Sequence, residues 1–204
     1  MILEIIKQLR TGLVLLMVLT IITGLLYPLA VTGIAQLLFS YRANGSLILQ
    51  NDKVIGSELI GQAFSSNKYF WSRPSATTPY PYNALSSQGS NLGPMSPEFL
   101  AGVAKRIAAL QHSDATLREG FPVDLVTASA SGLDPEISPY AALYQVERVA
   151  AARNLESAEL TKLIQELTQG RTLFFLGEPR VNVLQLNLAL DSLKSPSDLN
   201  KEVR

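Results

Sequence analysis

The sequence predicts one transmembrane helix followed by a single small mixed α/β domain in which helices dominate, and three observations predict it. An uncharged run from Thr11 to Tyr41, with Arg10 before it and Arg42 after it, exceeds the roughly 20 apolar residues that a bilayer core requires. The remaining chain, about 160 residues, is long enough to bury one core. That remainder mixes short β-prone runs with several helix-start signals and carries no internal repeat.

The resulting organisation is a cytoplasmic N-terminus over 1–10, an anchor over 11–41, a soluble domain over 42–193 and a polar tail over 194–204. A cleaved secretory signal would have an apolar core of about 7–15 residues and a small-x-small site behind it. This run is about twice as long, and no A-x-A follows it. Lys7 and Arg10 precede the span, and Arg42 alone stands close behind it. The positive-inside bias therefore orients the N-terminus to the cytoplasm and the domain to the other side. Within the span, Thr20, Gly24 and Pro28 lie four apart. Small residues at that spacing let another helix approach closely. Ordinary enrichment of Gly and Pro in membrane helices reads the same residues equally well. Pro28 is expected to kink the helix unless neighbours satisfy the freed carbonyl.

Behind the anchor, SLIL and KVIG flank Gln50-Asn51-Asp52, the pattern of a hairpin. SELIGQAF suggests one or two helical turns. Ser65 to Pro97 is too long for an ordinary loop and too aromatic for a disordered one, with Tyr69, Phe70, Trp71, Tyr80 and Tyr82. It reads as an ordered contact surface. Ser96-Pro97-Glu98 starts a helix, whose apolar face runs through Phe99, Leu100, Val103, Ile107 and Leu110 to about His112. PVDLVTAS reads as a buried strand. Ser138-Pro139 opens a second helix ending near Arg153, and a third spans about Ser157 to Thr168. TLFFL reads as a short strand. Asn182 is placed to cap a last helix through Val183, Leu186, Leu190 and Leu193.

Several chemistries are poorly served. Lys and Arg number 17 against 17 Asp and Glu, and no basic cluster follows Arg42, which argues against nucleic acid. There is no Cys, hence no disulfide, thiolate nucleophile or Cys-based metal site. The sole histidine, His112, stands at a helix end, where an imidazole is far more often a solvated residue favouring the helix dipole, and acid–base work would also need an oriented partner. Ser65-Ser66-Asn67-Lys68 is an S-x-x-K, the arrangement of Ser–Lys hydrolases, but the S-D-N and K-T-G elements are missing. SQGSNLGP and TASASGLDP are small and polar enough to form anion nests, yet neither ends as a P-loop does.

Six strings occur in order behind the span: LIGQAF, YFWSRPSA, YNALSSQGSNLGP, PVDLVTASASGLDPEISPYAA, QVERVAAARNL and GEPRVNVLQLNLALD. Together they resemble the C subunit family of the Kdp-type potassium-transporting P-type ATPase, from the anchor to about Asp191. Each string is long and unusual. Two positions depart from the family pattern: Glu136 stands where His is frequent, and Ala130 where Gly is common. A role resting on an imidazole at 136 does not carry over.

The resemblance implies a non-catalytic accessory subunit of an ATP-driven, high-affinity potassium uptake complex in the bacterial inner membrane. Its implied partners are a channel-like potassium-binding subunit, a P-type ATPase subunit and a small one-span subunit, besides the lipid itself. The implied role is to stabilise their assembly and, as a catalytic chaperone, to raise the ATP affinity of the ATPase subunit. No intrinsic cofactor is implied, ATP being reached through the ATPase subunit. The nucleotide contact that carries over falls on Gln145, in a chain whose TASASGLDP is compared with an ABC-type signature. Topology opposes that contact, because the charge bias places Gln145 away from cytoplasmic ATP. On that topology the stretch from Tyr69 to Pro94 would sit over the outer mouth of the channel-like subunit. Arg73, Asn83, Asn91, Asp134, Arg148, Glu178, Arg180 and Asn182 would hold these loops by hydrogen bonds, or equally would satisfy irregular backbone internally. Two other classes stay open: an anchored Ser–Lys hydrolase using Ser65 and Lys68, and a nucleotide-binding regulatory subunit facing the cytoplasm.

Overall fold

The computed structural model describes residues 2–113 and 120–193, and it divides after Leu47 into an N-terminal and a C-terminal unit. The expected polar tail, 194–204, lies outside the described residues.

The N-terminal unit is one long helix of 37 residues, Ile2–Leu38, apolar and long enough to cross a membrane. It begins earlier than the expected anchor, so Glu4, Lys7 and Arg10 form its first turns. Helix α1 (Ile2–Ile21) passes into a π-helical turn (Ile22–Leu26) and then into α2 (Tyr27–Leu38). The π turn has a physical cause. Pro28 offers no N–H, and its ring crowds the carbonyl four residues earlier. Widening the helix just before it, with the Tyr27 N–H donating to the Ile22 carbonyl five residues back, accommodates that defect. The helix thus absorbs its proline internally. Thr23 donates its hydroxyl to the Leu19 carbonyl at 2.7 Å. Phe39 breaks the helix (φ −137°), and a single turn, α3 (Ser40–Ala43), follows.

The C-terminal unit opens with the expected hairpin, β1 (Leu47–Gln50) and β2 (Lys53–Ser57). Its two-residue turn, Asn51-Asp52, has both residues at positive φ (50° and 60°), as the right-handed twist of a hairpin favours. Helix α4 (Pro97–Ser113) begins where the sequence indicates and takes in His112, but Leu100 of its expected apolar face is 52% exposed. Helices α6 (Pro139–Tyr144), α7 (Val146–Arg153), α8 (Ser157–Leu167) and α9 (Val183–Ser192) surround the core. Val149, Leu160, Ile164, Leu186 and Leu190 are fully buried in it. The predicted caps form: Ser138 accepts from the Ala141 N–H, and Asn182 from the Gln185 N–H. A two-residue antiparallel pair, β3 (Glu136–Ile137) with β4 (Val181–Asn182), leads the chain into α9.

Four elements differ from expectation. SELIGQAF is no helix: a bridge between Ser57 and Ile60 closes a tight turn, and the chain then runs extended. A Cβ on Gly61 would come within 2.4 Å of the Tyr82 ring and 2.7 Å of the Asp134 carbonyl, so the extended chain passes too close for a side chain. PVDLVTAS forms a single helical turn, α5 (Val123–Val126), with Leu125 and Val126 buried and Val123 exposed. A four-residue apolar run does not distinguish the two states by periodicity. The helix from Ser138 to Arg153 is interrupted at Gln145 (φ −93°, ψ −4°). TLFFL is a turn, not a strand: only Thr172 and Leu176 pair, and residues 173–175 loop between them.

Candidate functional site

Between β2 and α4 the chain has no helix or strand, yet Phe70 is wholly buried. Buried backbone must find partners, and here side-chain amides supply them. Asn187 of α9 accepts from the Phe70 N–H at 2.9 Å and donates to the Phe70 carbonyl at 3.0 Å. Gln145, at the α6–α7 junction, does the same for the next residue. Its Oε1 accepts from the Trp71 N–H at 2.7 Å, and its Nε2 donates to the Trp71 carbonyl at 3.2 Å. Two amides thereby act as a substitute sheet edge. Gln145 has little capacity left: Nε2 also donates to the Ala141 carbonyl at 3.1 Å, and Oε1 also accepts from Arg148 at 2.6 Å. Its residue exposure is 2%.

Cations complete this clamp. The Arg148 guanidinium lies 4.1 Å from the centre of the Trp71 ring and donates to the Asn67 carbonyl at 2.9 Å. Arg153 stacks 4.7 Å over Tyr69 and donates to the Lys68 carbonyl and to Asp191, both at 2.6 Å. Tyr69 in turn donates to Asp191 at 3.2 Å.

The following loops are knitted to the TASASGLDP segment. Arg73 pairs with Asp134 at 3.1 Å, and Asp134 accepts from the Glu136 N–H at 3.0 Å. Tyr82 donates its phenol to the Arg73 carbonyl. Burial pushes the Tyr82 hydroxyl up to about 12, which keeps it a donor. Asn83 is buried and donates to the Thr78 carbonyl at 2.8 Å while accepting from the Leu85 N–H. Ser75 donates to the Gly132 carbonyl at 2.7 Å, and the Gln88 N–H to the Ser131 carbonyl at 2.9 Å. Gly132 has φ +69°, and a Cβ there would sit 2.5 Å from the Gln88 carbonyl and from Thr77, so only glycine fits.

The other residues singled out in the sequence are scattered. Asn91 is exposed at φ +53°, with no side-chain hydrogen bond among the described residues. Glu178 pairs with Arg171 through both carboxylate oxygens (2.9 and 2.7 Å) on an exposed turn. Arg180 donates to Glu136 at 2.8 Å, so a carboxylate at 136 gives this cation a partner. Asn182 is buried, caps α9 and donates to the Glu58 carbonyl at 2.8 Å. Thr20, Gly24 and Pro28 stand on the long helix, whose described residues bury nothing within the chain. Ser65 and Lys68 are exposed beside a turn outside any helix, and no hydrogen bond joins them among the described residues. Their spacing therefore does not act as one helical turn. His112 is exposed near the end of α4. No group of three or more His, Cys, Asp or Glu gathers to hold a metal among the described residues.

Sequence reasoning missed Asn187, Arg153 and Asp191. A signal existed for the first. Asn187 falls one turn after Val183 on the stripe that Leu186 and Leu190 also occupy, a polar residue on a buried face.

The KdpC family, described as K+-transporting ATPase, c chain, matches residues 9–192. The chain belongs to the KdpC family. Among its relatives is a protein of Methylococcus capsulatus named Potassium-transporting ATPase KdpC subunit, 55% identical over 93% of this chain and 100% of that one. A protein of the same name from Burkholderia orbicola is 58% identical over 91% of this chain and 96% of its own. Another, from Serratia proteamaculans, is 56% identical over 92% of this chain and 100% of its own.

Proposed function

We propose that this chain is an accessory subunit of an ATP-driven potassium uptake complex. It is anchored by its N-terminal helix and carries its domain on the extracytoplasmic side. The observation that supports this best is the family match across 9–192, which takes in both the anchor and the domain. In this reading the subunit stabilises the assembly of a channel-like subunit, a P-type ATPase subunit and a small one-span subunit in the inner membrane. It raises the ATP affinity of the ATPase subunit as a chaperone of that assembly, without a nucleotide contact of its own. The state of Gln145 favours an indirect effect: its amide is buried and engaged by Trp71, Ala141 and Arg148. A nucleotide would have to break bonds that hold the core.

The test compares Gln145→Ala with the unaltered chain in the purified complex. The expected result is that subunit yield and ATP affinity fall together. ATP affinity lost in fully assembled complexes would make Gln145 a nucleotide contact and overturn the indirect reading. Orientation has its own test. The chain contains no Cys, so a single cysteine at Ser87 should react with a membrane-impermeant maleimide in intact cells. Labelling only after lysis would put the domain on the cytoplasmic side.

A further inference from the structure

A cleft of about 350 Å³ lies between α4 and the loop that precedes it, a volume within the range of small-molecule sites. One wall is the segment Gln88-Gly89-Ser90. The other is Glu98, Gly102 and Arg106, spaced four apart along α4 and so on one face of it. Both walls are held in place. The Gln88 N–H donates to the Ser131 carbonyl at 2.9 Å, and a Cβ on buried Gly89 would come within 2.6 Å of the Ala130 carbonyl. Arg106 donates through Nη1 to the Val126 carbonyl at 2.9 Å. That bond fixes the guanidinium plane, and its Nε and Nη2 edge has no partner among the described residues.

The two charges on this face are placed so that they do not pair with each other. Opposite charges four residues apart meet, as Lys162 and Glu166 do on α8 at 3.8 Å. Glu98 and Arg106 stand two turns apart, about 12 Å along the axis. The position where either would find its partner is Gly102. A Cβ there would meet nothing outside the helix backbone closer than the Arg106 Nη1, at 3.8 Å, so the floor of the cleft is bare. Glu98 has no hydrogen bond or ion pair among the described residues. The helix dipole favours an acid in the first turn, and the Val126 carbonyl engages one nitrogen of Arg106. Neither contact accounts for the open floor between the two. We propose that the cleft binds a small zwitterion, an amine and carboxylate compound of amino-acid size, with its carboxylate on the free edge of Arg106 and its ammonium on Glu98. A simple anion would face the Glu98 carboxylate and a simple cation the Arg106 guanidinium, so one end of the site opposes each. The cleft shares no residue with the clamp around Trp71, and the proposal does not depend on the subunit reading.

The test uses the full-length chain in detergent and titrates it, by calorimetry, with linear ω-amino acids: glycine, β-alanine, γ-aminobutyrate and δ-aminovalerate. Saturable binding is expected, and it should tighten along the series as the two ligand charges move far enough apart to reach both protein groups. Butyrate and butylammonium, which each carry one of the two charges, should bind about tenfold more weakly than γ-aminobutyrate. Glu98→Gln disturbs no hydrogen bond among the described residues and should weaken γ-aminobutyrate by about tenfold. Gly102→Leu keeps both charges, fills the floor and favours the helix. It should melt no lower than the unaltered chain and lose binding by a similar factor, so that the loss does not come from misfolding. Absence of saturable binding by every member of the series would overturn the proposal. Butyrate binding as tightly as γ-aminobutyrate would make the cleft an anion site of Arg106 alone and would overturn it too. Unchanged affinity in both variants would place the ligand elsewhere on the chain, with the same consequence.

Discussion

Two aromatic segments without helix or strand behave in opposite ways. Tyr69-Phe70-Trp71 has its middle residue wholly buried and its backbone held by Asn187 and Gln145. Leu173-Phe174-Phe175 is exposed, and among the described residues its backbone finds partners only within its own stem. Aromatic content is the same kind of signal in both. What separates them is the supply of outside partners: helices α7 and α9 and the junction before α7 bring two amides and two guanidinium groups to the first segment, and among the described residues nothing comparable reaches the second. An irregular segment becomes core when other elements carry the polar groups that its backbone requires.

The largest effect is expected from removing one of those partners. Asn187→Leu keeps the branched outline and heavy-atom count of the side chain but leaves the buried Phe70 N–H and carbonyl without partners. It should destabilise the domain by about 2–5 kcal/mol. Urea unfolding of the full chain in detergent, followed through Trp71, the only tryptophan, measures it. A change below the error of that experiment would mean that the clamp does not hold the segment, and the contrast between the two regions would dissolve.

Much of this contrast was hidden in the sequence, and the reasons are specific. The span, the hairpin at Asn51-Asp52, the caps at Ser138 and Asn182 and helices α4 and α8 were legible because each follows from local chemistry or periodicity. VDLV and TLFFL misled because short apolar runs fit a strand, a turn of helix or an exposed loop equally well. The reading of Ser65 to Pro97 as an ordered contact surface rested on its aromatics alone and named none of the partners that order them. Those partners lie more than 70 residues downstream, at Gln145 and Asn187, and no local window contains them. Phe174 went unnoticed for the reverse reason, since a strand assignment hides its positive φ.

A somewhat smaller effect belongs to Arg148. Arg148→Ala removes a cation from the Trp71 face and a charge-assisted bond from Gln145, and should cost about 2–4 kcal/mol. Arg148→Lys should recover only part of it, because an ammonium neither stacks nor forks like a guanidinium. A red shift of Trp71 emission in the folded Arg148→Ala chain would report the loosened clamp. Full rescue by lysine would reduce the site to a simple charge.

Alkaline pH gives a third separation. Tyr82, in the loops that follow the clamp, is held protonated by burial, its value pushed up from 10.0 to about 12. A raised folded value means that this stabilisation is complete below pH 10 and fades as pH rises towards 12. About 1–2 kcal/mol should be lost across that window, after allowance for partial solvent access. Tyr82→Phe should abolish that share of the pH dependence. An unchanged alkaline profile in Tyr82→Phe would place the titration elsewhere.

The smallest effect concerns what holds the exposed tip. If its shape came from the Arg171–Glu178 pair, loss of that pair would collapse it. The pair is 46% and 78% exposed, so water already solvates both charges. Glu178→Gln should cost only about 0.2–1 kcal/mol, and less in high salt. The paired backbone of Thr172 and Leu176 should remain, because those two hydrogen bonds involve neither side chain. Amide hydrogen exchange at Leu176 distinguishes the cases. Protection retained in Glu178→Gln means that the tip is shaped by its own backbone; protection lost would make the ion pair its true support.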